Sequence, residues 1–349
     1  VSGTEHLVTT LRSQARACAA LGSPMYGELL DRVAADVQAG GVFATVLSGH
    51  ENDPGRQAVP LRVLGGLHRL VLDGRAATLR RWYPSTGGRW NAERAWPDIA
   101  TTAAEHTGTL RAALDQPPQT NEVGRSAALI GGLLILTRQF QLPVRLFEIG
   151  ASAGLNLRAD RYRYCYPGGQ WGPPDSPVRI DDAWRGKLPP TDDVRIVERH
   201  GYDIAPIDAT SSEGELTLLS YVWPDMTTRM DRLRGAISIA RQVPARLQRS
   251  SAAEAVAELT VADGAVTVLW HSITWQYLSP AEQAAVRTGI GGVAAQAADA
   301  SPFAHLMLEP QRRTPGTPHT FLLRVRSWPG GDDRILAECA PHGPPVVWE

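Results

Sequence analysis

"LFEIGASAGLNL", residues 146–157, decides how this 349-residue chain is read, because it fits two incompatible active sites. As Gly150-Ala151-Ser152-Ala153-Gly154 it is the G-x-S-x-G elbow that raises a nucleophilic serine. As Glu148-x-Gly150-x-Ser152-x-Gly154 it is a strand-to-helix turn that cradles a nucleoside ligand. A hydrolase elbow follows several strands and needs an oxyanion loop upstream. Here the residues before it read mostly as helix and hold no H-G-G-G-like segment. A carboxylate at Glu148 would oppose an alkoxide but suits an ammonium group. The second reading is therefore preferred: Gly150 permits the sharp bend, and the helix start near Ala153 offers free backbone N–H groups.

Outward from this turn, two regimes appear. From Leu7 to about Ala113 apolar residues recur three and four apart, as in Leu29, Val33 and Val37 and in Leu61, Leu64, Leu67 and Leu70. Loops such as "HENDPGR" (50–56) punctuate this pattern. A helical domain is expected over 1–118 and an α/β domain over 119–349. In the second, strand-like runs alternate with helical ones: "VRLFEI" (144–149), "VRIVER" (194–199), "ARLQ" (245–248), "AVTVLWH" (265–271), "FAHLMLE" (303–309), "TFLLRVRSW" (320–328) and "RILAEC" (334–339). They predict a doubly wound, mostly parallel seven-stranded sheet closed by a terminal antiparallel hairpin at "PGGDD". A Pro/Gly-dense insertion over 165–193 reads either as a lid or as a disordered excursion. In "WPDMTTRMDRLRGAISIARQ", Met226, Met230, Leu233 and Ile237 share one helical face.

Composition narrows the function. With 35 basic and 36 acidic side chains and no basic-aromatic stripe, nucleic-acid binding is not expected. Three dispersed cysteines indicate inert thiols, and nine histidines without ligand spacing indicate no metal site. Lacking a leader-like start or a long apolar run, the protein is expected to be cytoplasmic.

A Rossmann pyrophosphate site needs G-x-G-x-x-G. S-adenosylmethionine carries no phosphate, so the serine at 152 is tolerable. "EIGASAGLNL" with "RADRYRY", "QTNEVGR", "GYDIAPID", "WPDMTTR" and "HSITWQYL" resembles an actinobacterial family of proteins of unknown function. That family joins a helical N-terminal part to an α/β part like that of class I S-adenosylmethionine-dependent methyltransferases. The resemblance implies that Glu148, Gly150, Ser152, Gly154 and Asn156 hold the methionine and ribose end of the cofactor. It also implies that Asp203, in competition with Glu198, accepts from the ribose hydroxyls, and that the "HSITWQYL" segment with Tyr277 borders the substrate. One departure stands out: after the third strand the chain reads Arg249-Ser250-Ser251 where such enzymes carry an acid for the adenine amino group.

Other residues invite chemistry. His271, at the carboxyl end of a strand, reads as a general base or a structural histidine. If "QTNEVGR" is helical, Asn121, Glu122 and Arg125 share adjoining parts of one face, as substrate-handling groups or as a cap and ion pair. Asp160, Arg161 and Tyr164 read as a catalytic carboxylate and anion-holding pair or as a salt-bridge network. Trp223 and Arg229 read as stacking wall and anion clamp or as interface anchors. Ser279-Pro280-Ala281-Glu282 is a capping box. Methyl transfer to a small molecule in bacterial secondary metabolism is the leading expectation. The alternatives are a cofactor-free displacement that expels an anionic group with ring closure, with a partner subunit completing the cleft, and a non-catalytic partner protein.

Overall fold

The computed structural model describes residues 3–54 and 57–349; Gly55 and Arg56 of the "HENDPGR" loop lie outside them. The chain groups into two compact units, one holding the residues up to Thr120 with Ser211–Asp231, the other Asn121–Thr210 with Arg232–Glu349. The first is helical. Its helices α1 (Gly3–Ala20), α2 (Pro24–Gln38), α3 (Val42–Val46), α4 (Val59–Leu72), α5 (Ala92–Glu105) and α6 (Thr107–Leu114) are joined by α8 (Ser212–Ser220) from later in the chain. The expected stripe is the core: Leu29, Val33, Val37, Leu64, Leu67 and Leu70 are buried, and Leu61 packs against them half-buried. The returning segment is fastened by polar contacts. Ser23, which caps α2, donates to Asp225 at 2.5 Å, and Asp225 also accepts the Met25 N–H at 3.0 Å.

The second unit is the α/β part, and it begins with α7 (Ser126–Phe140), an almost wholly buried apolar helix. Its Gly131 and Gly132 lie where any Cβ would collide with Trp348 and Leu306, so the pair allows close helix-on-sheet approach. The sheet has nine strands where seven were expected. β1 (Val144–Ile149), β6 (Ile196–Asp203), β7 (Arg246–Arg249), β8 (Val266–Ser272) and β9 (Phe303–Gln311) run parallel in the order β7-β6-β1-β8-β9. Beyond β9, β10 (Thr320–Trp328), β11 (Asp332–Ala340) and β12 (Gly343–Trp348) form an antiparallel meander, and β5 (Trp184–Gly186) pairs parallel with β12 at the edge. The anticipated hairpin is β10–β11. The two additional strands escaped the sequence reading because β12 carries two prolines and β5 has three residues, both poor strand signals.

Strand alternation assigns the layers. Phe147, Ile149, Leu269 and Phe303 face α10 (Ala252–Ala257) and α11 (Pro280–Ala294), whose Val256, Val286 and Ile290 complete that core. Leu306 points to the other face, against α7. The sheet is thus wound on both faces, and the chain reverses direction between β1 and β8, the place where ligands settle in such sheets.

The 165–193 insertion is folded. β2 (Arg163–Tyr166), β3 (Gly169–Trp171) and β4 (Arg179–Ile180) make a small sheet, and β5 joins the main one. Trp184 is fully buried, donates to Ala127 O at 2.9 Å and stacks on Tyr164 at 5.7 Å. Among the described residues no helix is long and apolar enough to cross a membrane.

Candidate functional site

β1 delivers Glu148 directly opposite Trp270 of β8, on the switch-point side, and opposite Gly201 of β6. Glu148 is 2% exposed, and burial pushes its carboxyl up to about 8. The nearby Asp203 charge adds to the rise, while the Trp270 indole, Asn156 and Arg158 pull the other way. Glu148 Oε2, Asn156 Oδ1 and Trp270 Nε1 are buried and none has a partner in good hydrogen-bond geometry among the described residues, although the indole and the Asn156 amide stand close enough to Glu148 to favour its charged form. Two acceptors and one donor left dry at a strand end are costly unless something else satisfies them.

The bend itself is built by backbone geometry. Gly150 (φ +67°), Ser152 (φ +52°) and Gly154 (φ +63°) all take left-handed conformations, costly for a serine and natural for glycine. Side chains from elsewhere tie the bend down. Asp203, ending β6, accepts the N–H of Ser152 at 2.8 Å and of Ala205 at 2.9 Å. Asn121 accepts the Leu155 N–H at 2.8 Å, and the buried Arg158 guanidinium donates to Gly154 O at 2.7 Å. Thr274, after β8, packs where a side chain on Gly150 would stand, and Leu247 does so at Gly154.

On the opposite face of the sheet is a second buried polar group that the sequence reading did not assemble. His271 Nδ1 lies 2.7 Å from Glu309 Oε1, and His271 Nε2 lies 3.0 Å from His305 Nε2. Glu309 Oε1 also accepts the N–H of Thr274 (2.9 Å) and Trp275 (3.2 Å). Both ring nitrogens of His271 are therefore engaged within the protein. The missing signal was present in "FAHLMLE": His305 and Glu309 are four apart on a strand, hence on one face, in an otherwise apolar run.

The remaining candidates fall elsewhere. "QTNEVGR" is no full helix: only Val123–Arg125 forms a 3-10 turn, so Asn121, Glu122 and Arg125 share no helical face. Glu122, buried, accepts the Gly124 N–H at 3.0 Å and lies 3.9 Å from the Arg232 guanidinium and 3.6 Å from His342. Arg125 reaches Pro341 O at 3.4 Å. Asp160 is gripped by two 2.7 Å bonds from the buried Arg199, while Arg161 is half exposed beside it. Tyr164 is fully buried and donates to Ala159 O at 2.7 Å, so its hydroxyl serves packing. Trp223 and Arg229 belong to the helical unit, where the guanidinium lies 5.9 Å from the indole centre. Tyr277, 66% exposed, stands in the turn after β8. Ser251 caps α10 in a reciprocal box with Glu254. Ser279 caps α11, but Glu282 bonds the Ala252 N–H instead of closing its own box. Among the described residues no group of three or more His, Cys, Asp or Glu is placed to hold a metal ion.

Residues 8–348 match the family described as "Uncharacterized protein conserved in bacteria (DUF2332)", and the chain belongs to it. No curated protein and no solved structure matches the chain.

Proposed function

We propose that this DUF2332 member is a small-molecule-modifying enzyme that works at the β1–β8 switch point, with methyl transfer from S-adenosylmethionine as its reaction. The observation that carries the reading is the set of buried, unpartnered atoms Glu148 Oε2, Asn156 Oδ1 and Trp270 Nε1. An amino-acid group supplies what they lack: ammonium hydrogens for the two acceptors and a carboxylate oxygen for the indole N–H. Asp203 fits the ribose, because its oxygens accept the Ser152 and Ala205 N–H groups one each and a carboxylate oxygen has a second lone pair for a hydroxyl.

When bound, the cofactor supplies an electrophilic methyl group. The chain's own contribution is alignment, which a displacement of this kind needs more than a strong base. Asn121 and Arg158 fix the bend from two sides, and the strained Ser152 backbone holds the following turn in one conformation.

Isothermal titration of S-adenosylmethionine tests the proposal. Micromolar binding is expected, lost in Glu148→Ala and Asp203→Ala. Because Glu148 titrates near 8, pairing it with an ammonium at pH 7 releases a proton, seen as a buffer-dependent heat. No binding by the wild-type protein sinks methyl transfer.

Ser251 favours a second reading. Its hydroxyl is committed to the α10 cap, at the position where such enzymes carry an acid for the adenine amino group. In a cofactor-free enzyme Glu148 takes a proton from the substrate's own ammonium. The freed amine then attacks carbon, and the departing anionic group leaves with the bonding electron pair. Thermal stabilisation by amines but not by S-adenosylmethionine selects this reading.

A further inference from the structure

We infer that Glu309 is a positioning residue of the switch-point site, acting through a carboxylate–imidazole–imidazole chain that holds the loop after β8 against the Gly150 bend. The loop needs holding. Ile273 sits at φ +51°, a genuine outlier for a β-branched side chain. The next two residues, Thr274 and Trp275, give their N–H groups to the same oxygen, Glu309 Oε1. Thr274 in turn occupies the space beside Gly150, two residues from Glu148. A continuous path therefore runs from Glu309 through Thr274 to the bend.

His271 fixes the orientation of Glu309. Glu309 Oε1 already accepts two backbone amides, so it is the acceptor of the 2.7 Å contact and His271 Nδ1 the donor. His271 Nε2 is then an acceptor, and the 3.0 Å contact needs a proton on His305 Nε2. His305 is held neutral by burial, by His271 and by Arg326, which agrees with a single proton between the rings. Trp275 stacks on His271 at 5.6 Å, with the Arg287 guanidinium over its other neighbourhood at 5.4 Å, closing the cluster from the α11 side.

The meaning of the loop for ligand binding rests on the switch-point reading, but the test does not need a ligand. Side-chain nitrogen NMR of the wild-type protein should show a proton on His271 Nδ1 and a proton on His305 Nε2. Hydrogen exchange should show the Thr274 and Trp275 amides protected. Glu309→Gln, which keeps the shape and drops the charge, should speed exchange of those two amides about tenfold and shift the Gly150 amide resonance. Unprotected Thr274 and Trp275 in the wild type, the opposite tautomers, or an unmoved Gly150 resonance overturns the inference. If Glu309→Gln fails to fold, the wild-type tautomers and exchange decide alone. Wild-type titration with S-adenosylmethionine is read separately, and its failure counts against methyl transfer only.

Discussion

Glu148 and Glu309 are both buried acids near the carboxyl ends of parallel strands, yet they live in opposite circumstances. Glu309 collects His271 and two backbone amides on Oε1 and buries Oε2 without a partner among the described residues, whereas Glu148, whose Oε2 is likewise without one, has its carboxyl pushed up to about 8. The contrast teaches that burial alone does not set the state of a carboxyl. What decides is whether the fold aims donors at it. An acid that gathers loop amides and a histidine is part of the architecture, and one at a strand end without such a cluster is open to a ligand's donors.

The comparison breaks most clearly in the pH dependence of stability. The folded value for Glu148 lies above its ordinary value near 4.5, so its contribution is complete below that value and is lost as pH rises through about 8. Denaturant titrations at pH 5 and pH 9 should differ by roughly 4 kcal/mol more in the wild type than in Glu148→Gln. An equal pH slope in the two proteins would remove the distinction between the acids.

Glu309→Ala should cost about 3–5 kcal/mol at pH 7, because it strands the His271 N–H and two buried amides, and urea unfolding measures it. Glu148→Gln should by contrast raise stability by about 3 kcal/mol at pH 7, because the wild-type carboxyl must take up a proton on folding there and the amide need not. Comparable losses in the two variants would contradict the contrast.

Gly154→Ala should cost about 1–3 kcal/mol, since the alanine would hold a left-handed backbone and stand 2.6 Å from Leu247; thermal melting reads it. The same variant should weaken ligand binding at the bend. Smallest is Ser251→Ala, expected to cost about 1 kcal/mol through the lost α10 cap. Its affinity for S-adenosylmethionine should be unchanged, and a tenfold loss on titration would show that this serine does face the cofactor.

Much of the fold was legible. β1 falls on the expected residues, β9 and β10 start where their apolar runs start, and the stripes on α2 and α4 form the helical core. These features obey local periodicity, which a sequence displays directly. Less legible was the return of 211–231 to the helical unit: it looked like an insertion in the α/β part, and the pairing of Asp225 with Ser23 and Met25 spans some two hundred positions. The same limit applied to the candidate site. Asn121 was singled out, but its bond to Leu155 could not be foreseen from a helical reading of a segment whose one regular element is the 3-10 turn Val123–Arg125.

By itself the sequence determined that strand and helix alternate after a helical beginning, and that a carboxylate precedes a tight glycine-bearing bend. Both follow from side-chain size, polarity and spacing along the chain. Only the tertiary structure decided which acid gathers donors on one oxygen, because donors reach a carboxyl across strands and loops. Glu309 draws two amides onto Oε1 from a loop after β8, while Glu148 Oε2, Asn156 Oδ1 and Trp270 Nε1 are buried without a hydrogen-bond partner among the described residues.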